Sequence, residues 1–373
     1  MKKLSTLNSQ LSTSNGSRKS AAEVAELFIG LQVFVLLAMS VTCNGQVAAT
    51  PAATPRPGFP GVVRPGVAAT PALPPLSTAT QSHLLPAPGA SSLLTPGNAP
   101  PARDVPLIEK KFEELSNQKI SADGKKALDI NWDKWKHAET DNFILHYRRV
   151  TEAQKVAREV EYDLWYVAQT LGAGKDRYQK KSHVYIFEDE SEWKDFLNQS
   201  SNMAKWAVSY AHGDELYLNV RGGGNSGAAA SFDSHTLAHE TTHAVVARLY
   251  PRARWPLWLN EGFAEFMGGA SVAARKGQYS KRYERLLNEA EMPLETLEKM
   301  EDYPNDPLQI SRLYQSSEKF VRFLMTENPK DRFPKFIDAV LSGAGMQASV
   351  LQVYSDKYKD WAAFMKHYER FTK

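Results

Sequence analysis

The sequence predicts an α+β fold, with an N-terminal mixed sheet and helices followed by a mainly helical C-terminal subdomain. Segments typical of strands lie between residues 142 and 220, whereas helical spacing dominates from residue 234 to the C-terminus. The 373 residues are 42% hydrophobic and include 16 Phe, 15 Tyr and 8 Trp, which is enough for a large core. All eight Trp lie at or after Trp132, whereas 14 of the 21 Pro lie between Pro51 and Pro106. The fold is therefore expected to begin after this proline-rich region.

Overall composition excludes several classes of protein. The 45 Lys and Arg nearly balance the 42 Asp and Glu, and no basic tract predicts a nucleic-acid partner. Cys43 is the one cysteine, so the chain can form neither an internal disulfide scaffold nor a Cys-rich zinc finger or iron–sulfur cluster.

Residues 1–43 are predicted to be an export signal or a membrane anchor. An uncharged apolar run, Leu27–Val41, has the length of a signal-peptide core and is shorter than the ~20 residues of a typical membrane span. Cys43 lies two residues beyond it, a position that resembles the lipidated cysteine of bacterial lipoproteins. Ordinary cleavage nearby is the alternative. The protein is thus expected to be extracytoplasmic, either membrane-anchored or secreted, and to contact a membrane only through this segment.

Residues 44–106 are predicted to form a disordered Pro/Ala-rich linker. The hexapeptide Val-Ala-Ala-Thr-Pro-Ala occurs at 47–52 and again at 67–72, and charges are almost absent. Such a composition buries too little apolar surface to offset chain entropy, and its prolines favour an extended spacer.

Residues 107–373 are predicted to form one domain. Its first part, 108–128, is expected to be a short helical preface. The next elements are predicted as strand 142–148, helix 151–171 capped by Thr151 and ended by Gly172, strand 182–187, helix 190–198, and a hairpin of 207–211 and 215–220. Helices follow from Ser234 onward, capped by Asp233 or Ser234, with Pro256 in the first turn of the second.

The most informative motif is His239-Glu240-Thr241-Thr242-His243. Residues four apart on a helix share a face, so His239 and His243 can both bind one Zn²⁺. Glu240 would lie beside the metal, where a carboxylate can deprotonate water.

A catalytic zinc site needs a third protein ligand. His235 is too far along the helix from His243, by about 12 Å, and His212 remains possible. A stronger candidate is Glu261, because Glu261 and Glu265 share a face of the next helix. Glu265 would accept a hydrogen bond from a ligand histidine, and Gly262 would let this helix approach the first closely.

The two motifs together resemble the gluzincin metallopeptidases. His-Glu-Thr-Thr-His is followed by Trp-Leu-Asn-Glu-Gly-Phe-Ala-Glu at 258–265, a phrase similar to that of the aminopeptidase N family. The compact size and export segment favour the smaller peptidase-MA-like domains of exported bacterial proteins. The exopeptidase motif Gly-Ala-Met-Glu-Asn is absent, so the resemblance does not extend to aminopeptidase activity.

This resemblance implies a zincin-like domain with the active-site helix between sheet and helical subdomain. It also implies His239, His243 and Glu261 as zinc ligands and Glu240 as general base. Tyr314, at the start of a later helix, would donate a hydrogen bond to the oxyanion.

The expected function is a zinc-dependent endopeptidase acting on peptides or proteins. The strand 215–220, if it borders the cleft, could pair with extended substrate through Leu216, Tyr217 and Leu218. The alternative is a zinc-binding, envelope-associated adhesion or partner-binding domain without hydrolytic activity.

Overall fold

The computed structural model describes residues 100–102, 104–200, 208–221, 233–276 and 291–371. The predictions for residues 1–43, Cys43 included, and for most of the linker 44–106 lie outside the described residues. Within the described part of the chain, no helix is both long and apolar enough to cross a membrane.

One mixed sheet occupies the N-terminal half of the described chain. Its strands are Ile108–Lys110 (β1), Lys136–Glu139 (β2), Phe143–Tyr147 (β3), Ser182–Phe187 (β4), Ser209–His212 (β5) and Glu215–Asn219 (β6). They lie in the order β1-β2-β3-β4-β6-β5. Strands β3, β4 and β6 are parallel, whereas β1, β2 and β5 pair antiparallel with their neighbours. Among the described residues, β5 therefore has a strand neighbour on one side only.

Helices pack against both faces of the sheet and form the C-terminal part. They are Ala122–Asp129 (α1), Val150–Thr170 (α2), Glu190–Gln199 (α3), Ser234–Leu249 (α4), Leu257–Lys276 (α5), Leu294–Glu298 (α6), Pro307–Thr326 (α7), Phe333–Leu341 (α8), Met346–Val353 (α9) and Trp361–Phe371 (α10). Helix α4 packs against β5 and α2 on one side and against α5 on the other. The predicted α+β architecture is thus confirmed, with the His239/His243 helix between the sheet and the helical region.

Two of the local predictions are confirmed and two are wrong. The β5–β6 hairpin turns at Gly213, and α2 ends where Gly172 adopts a positive φ of 62°, a conformation that glycine tolerates. Arg149, not Thr151, occupies the N-terminal cap of α2, so the predicted cap is wrong. The predicted helical preface at 108–128 is also wrong in part, because it contains strand β1 as well as helix α1.

The two faces of the sheet bury different side chains. Alternation along β3 and β4 directs one set, including Leu145 and Val184, toward α2 and the main core. The other set, including Tyr185 and Phe187, packs with Trp193 of α3 in a second aromatic cluster.

A chain of three histidines crosses the sheet on this second face. His137 and His146 approach through their Nδ1 atoms at 2.7 Å, and His146 Nε2 lies 2.9 Å from His183 Nδ1. Burial lowers the pKa of all three, that of His146 well below its usual value and that of His183 to about 4. At these three histidines, the unfolded chain therefore binds more protons than the folded chain below pH 6.5.

We expect the contribution of these three histidines to the free energy of unfolding to fall as pH drops from about 6.5 toward 4. The shift at His183 alone corresponds to roughly 3 kcal/mol. Urea unfolding at several pH values should show an algebraically smaller slope of unfolding free energy against pH for His183→Phe than for wild type. His212→Ala should not flatten the slope, because Asp123 raises the pKa of His212 and that pair stabilises the fold at low pH. An unchanged slope in His183→Phe would contradict this assignment.

Gly262 lies at the contact between α5 and α7. A Cβ at this position would overlap the backbone carbonyl of Ser317 in α7. The prediction that Gly262 brings α5 close to α4 is therefore wrong, since the close approach is to α7.

Gly262→Ala should lower the free energy of unfolding by about 1–3 kcal/mol, because overpacking against backbone outweighs the better helix propensity of alanine. Chemical denaturation of metal-free protein measures this effect. Gly268→Ala in the same helix is the matched control, since its Cβ would meet His235 at 3.0–3.2 Å, a milder contact. Equal stability of Gly262→Ala and wild type would refute the close contact.

Candidate metal centre

Helix α4 carries the His239–His243 motif into the interior. Asp233 caps the helix as predicted, and its carboxylate accepts a hydrogen bond from the backbone amide of Thr236. Both histidines of the motif are buried, and their Nε2 atoms lie 3.0 Å apart. The spacing of four residues thus brings the two imidazoles together on one face of the helix.

Glu261 of α5 completes a buried group that could hold a metal ion. Its Oε2 atom lies 3.5 Å from Nε2 of His239 and 3.6 Å from Nε2 of His243. This Oε2 is buried and has no hydrogen-bond partner among the described residues.

Zinc fits this donor set. A tetrahedral ion with bonds of about 2.0–2.1 Å places its ligand atoms about 3.3 Å apart. The three observed separations, 3.0, 3.5 and 3.6 Å, bracket that value. Two imidazole nitrogens and one carboxylate oxygen are also ligands that a catalytic zinc site uses.

Each histidine is oriented by a residue of α5. Nδ1 of His239 donates to Oε2 of Glu265 at 3.0 Å, and Nδ1 of His243 donates to Oδ1 of Asn260 at 3.2 Å. With the proton on Nδ1, each Nε2 keeps its lone pair for a cation. The sequence predicted the contact of Glu265 with a histidine, because Glu265 lies four residues after Glu261 on the same helix. The contact of Asn260 with His243 was not predicted.

Burial and charge act against each other in this group. Burial would lower the pKa of His239, but the carboxylates of Glu261 and Glu265 raise it to about 10. Burial would raise the pKa of Glu261, yet His243 and His239 hold it well below its usual range. The group therefore favours an ionised carboxylate next to positive charge, which a cation can also supply.

Glu240 lies beside this group and is fully buried. Ser209 of β5 donates from Oγ to Oε1 of Glu240 at 3.2 Å, while Oε2 has no hydrogen-bond partner in the part of the chain that the structure describes. Burial raises the pKa of Glu240 to about 7, against the opposing effect of His239 and His243. Sequence reasoning missed Ser209, because only the pairing of β5 with the sheet brings it to α4.

Two tyrosines of the C-terminal helical region lie next to the His-His-Glu group. Tyr314 of α7 is buried, with its ring centroid 6.2 Å from that of His239. Tyr303, between α6 and α7, donates its hydroxyl to Oε1 of Glu261 at 2.6 Å. No sequence motif marks Tyr303, since it lies in a connecting segment 42 residues after Glu261.

Other candidate ligands lie elsewhere. Nδ1 of His212 is 3.2 Å from Oδ2 of Asp123, and His212 is outside the group that could hold a metal. Nε2 of His235 lies 3.5 Å from Oε1 of Glu265, so His235 approaches the residue that orients His239 rather than the metal position.

The predicted substrate strand requires a correction. Leu216, Tyr217 and Leu218 belong to β6, which is bonded to β4 on one side and to β5 on the other. Its backbone therefore borders no open edge. The strand next to α4 with an open side, among the described residues, is β5.

The chain thus combines a mixed sheet, a following helical region and a buried His239-His243-Glu261 triad that resembles an HExxH…E zinc site. Comparison with known protein families finds no match, and no curated protein matches the chain.

Proposed function

We propose that the protein is a zinc-dependent endopeptidase of the gluzincin type. The observation that supports this most directly is the position of Glu240 beside the His-His-Glu group. Its Oε1 accepts a hydrogen bond from Ser209, and its Oε2 has no hydrogen-bond partner within the described ranges. A structural zinc site usually takes four protein ligands and needs no adjacent base. Three ligands and a buried carboxylate are what metal-assisted hydrolysis requires.

The residues that would hold zinc are His239, His243 and Glu261. When bound, zinc supplies Lewis acidity, which makes water more acidic and polarises a carbonyl group. Glu240 accepts the proton of the attacking water through Oε2 and later returns it to the leaving amine nitrogen.

Tyr314 is the proposed hydrogen-bond donor to the oxyanion. It is buried close to the His239 ring, and a phenol stays neutral at pH 7, so it can donate without adding charge.

The proposed substrate is an extended peptide or a protein segment. Because β5 carries Ser209 to Glu240 and has an open side among the described residues, a peptide that pairs with β5 would place its backbone next to the general base. This arrangement replaces the pairing with β6 that the sequence predicted.

We further propose that residues 1–43 export the protein or anchor it, with Cys43 as a possible lipid attachment site, and that 44–106 act as a spacer. The domain 107–373 would then work outside the cytoplasm, in contact with a membrane only through its N-terminal segment and without a nucleic-acid partner.

Purified protein should contain about one zinc per chain and cleave an unstructured protein such as casein. A zinc chelator should stop the cleavage, and added zinc should restore it. Zinc without cleavage would favour the alternative, a zinc-binding envelope-associated domain. If the purified protein binds no zinc, both the endopeptidase function and the zinc-binding alternative are excluded.

A further inference from the structure

We infer that Tyr303 is a positioning residue that fixes the carboxylate of Glu261, so that this ligand binds zinc through a single oxygen. The inference rests on the zinc site of the proposed function. It concerns a residue outside both motif helices, in the segment between α6 and α7.

The hydrogen bond between Tyr303 and Glu261 is short, and the ring that makes it is packed in place. The hydroxyl of Tyr303 donates to Oε1 of Glu261 at 2.6 Å. Its ring is half-buried against the main core and lies nearly parallel to that of Tyr314, with centroids 6.5 Å apart. Packing on both sides therefore restricts the rotation of the phenol that holds the carboxylate.

The two oxygens of Glu261 have different surroundings. Oε1 accepts from Tyr303 and has a longer contact with Nδ2 of Asn260 at 3.4 Å. Oε2 has no hydrogen-bond partner among the residues that the structure describes, and it faces the Nε2 atoms of the two histidines. Occupation of Oε1 thus leaves one oxygen for the cation and disfavours binding through both. A single carboxylate oxygen keeps a fourth position open, as a catalytic site requires.

Tyr303 also completes a pattern in the site. Glu265 holds His239, Asn260 holds His243, and Tyr303 holds Glu261. Each of the three candidate ligands therefore has one residue that fixes its orientation. Such outer partners tune metal affinity, typically by 10- to 100-fold. Tyr303 differs from the other two in coming from a separate segment, so the fold of the α6–α7 connection contributes to metal binding.

Tyr303→Phe should weaken zinc binding about 10-fold, measured by competition with a chromogenic chelator. In the cobalt-substituted protein, the visible absorption bands should lose intensity, because Glu261 becomes free to bind through both oxygens and raises the coordination number. Tyr250→Phe is the matched control. Tyr250 is also a half-buried tyrosine packed on the main core, and its hydroxyl bonds to Arg177 instead. It should keep wild-type affinity and the wild-type cobalt spectrum.

A double-mutant cycle separates positioning from a general effect on the fold. In a Glu261→Ala background, measured with a weaker competitor, Tyr303→Phe should cause no further loss of affinity. Equal loss in both backgrounds, or unchanged affinity in Tyr303→Phe alone, would overturn the inference while leaving the zinc site itself intact. Wild-type protein that binds no zinc would instead overturn the proposed function, and the inference with it.

Discussion

Glu240→Gln should reduce kcat/KM for casein-derived peptides by about 10²–10⁴-fold while leaving one zinc bound per chain. Glutamine cannot accept the proton of the attacking water, so the proton-transfer step loses its base. Glu240 is not among the three residues that could hold the metal, so zinc content should not change. Initial rates and zinc analysis of the same preparation measure both quantities.

The substitution preserves the local packing. Glutamine has the shape of glutamate, and its Oε1 can still accept the hydrogen bond from Ser209. Burial disfavours the ionised form of Glu240, as its raised pKa shows, and an amide removes this cost. We therefore expect the variant to unfold at no lower a denaturant concentration than wild type, so that lost activity cannot be attributed to unfolding.

Asp163→Asn provides a matched control for this experiment. Asp163 is also a fully buried acid whose pKa burial raises to about 7, but it accepts a hydrogen bond from Ser271 on α5, away from the histidines. This variant should keep wild-type activity and zinc content. If Glu240→Gln cleaves as fast as wild type, Glu240 is not the general base. If Glu240→Gln loses zinc as well as activity, Glu240 contributes to metal binding.

The sequence predicted the parts of the site that depend on spacing along one helix. His239 and His243, four apart on α4, and Glu261 and Glu265, four apart on α5, follow from helical geometry alone. The structure places all four side chains in one contact group.

The remaining contacts depend on long-range packing, which no local pattern encodes. Ser209 and Tyr303 reach the site only because β5 pairs with β6 and the α6–α7 segment folds back on α5. The internal position of β6 is likewise set by strand order and not by its own residues.

Strands β1 and β2 were not predicted, because their own residues carry too little strand signal. They have three and four residues and carry Lys, Glu and His, so neither has the apolar alternation of a strand. Pairing with β3 gives β2 its structure, and the aromatic and histidine contacts on the second face add to it.

The second large effect should come from Glu261→Ala, which we expect to weaken zinc binding by more than the roughly 10- to 100-fold typical of losing an outer partner. The change removes one of the three candidate ligands and leaves His239 and His243 as the remaining donors. Zinc titration with a competing chelator measures the affinity directly. A thermal shift gives an independent measure, since zinc at 100 times its Kd should stabilise wild type by about 2.7 kcal/mol and should stabilise the variant far less.

His212→Ala decides between the two third ligands that the sequence left open. His212 is bound to Asp123 on the face of the sheet turned away from α4, so its removal should leave zinc affinity unchanged. Because the pKa of His212 is raised by Asp123, this variant should lose stability mainly below about pH 6.5, an effect separable from metal binding. Wild-type affinity in Glu261→Ala together with lost affinity in His212→Ala would transfer the ligand role to His212. It would also require β5 to move relative to α4, because in the present arrangement His212 lies outside the buried group.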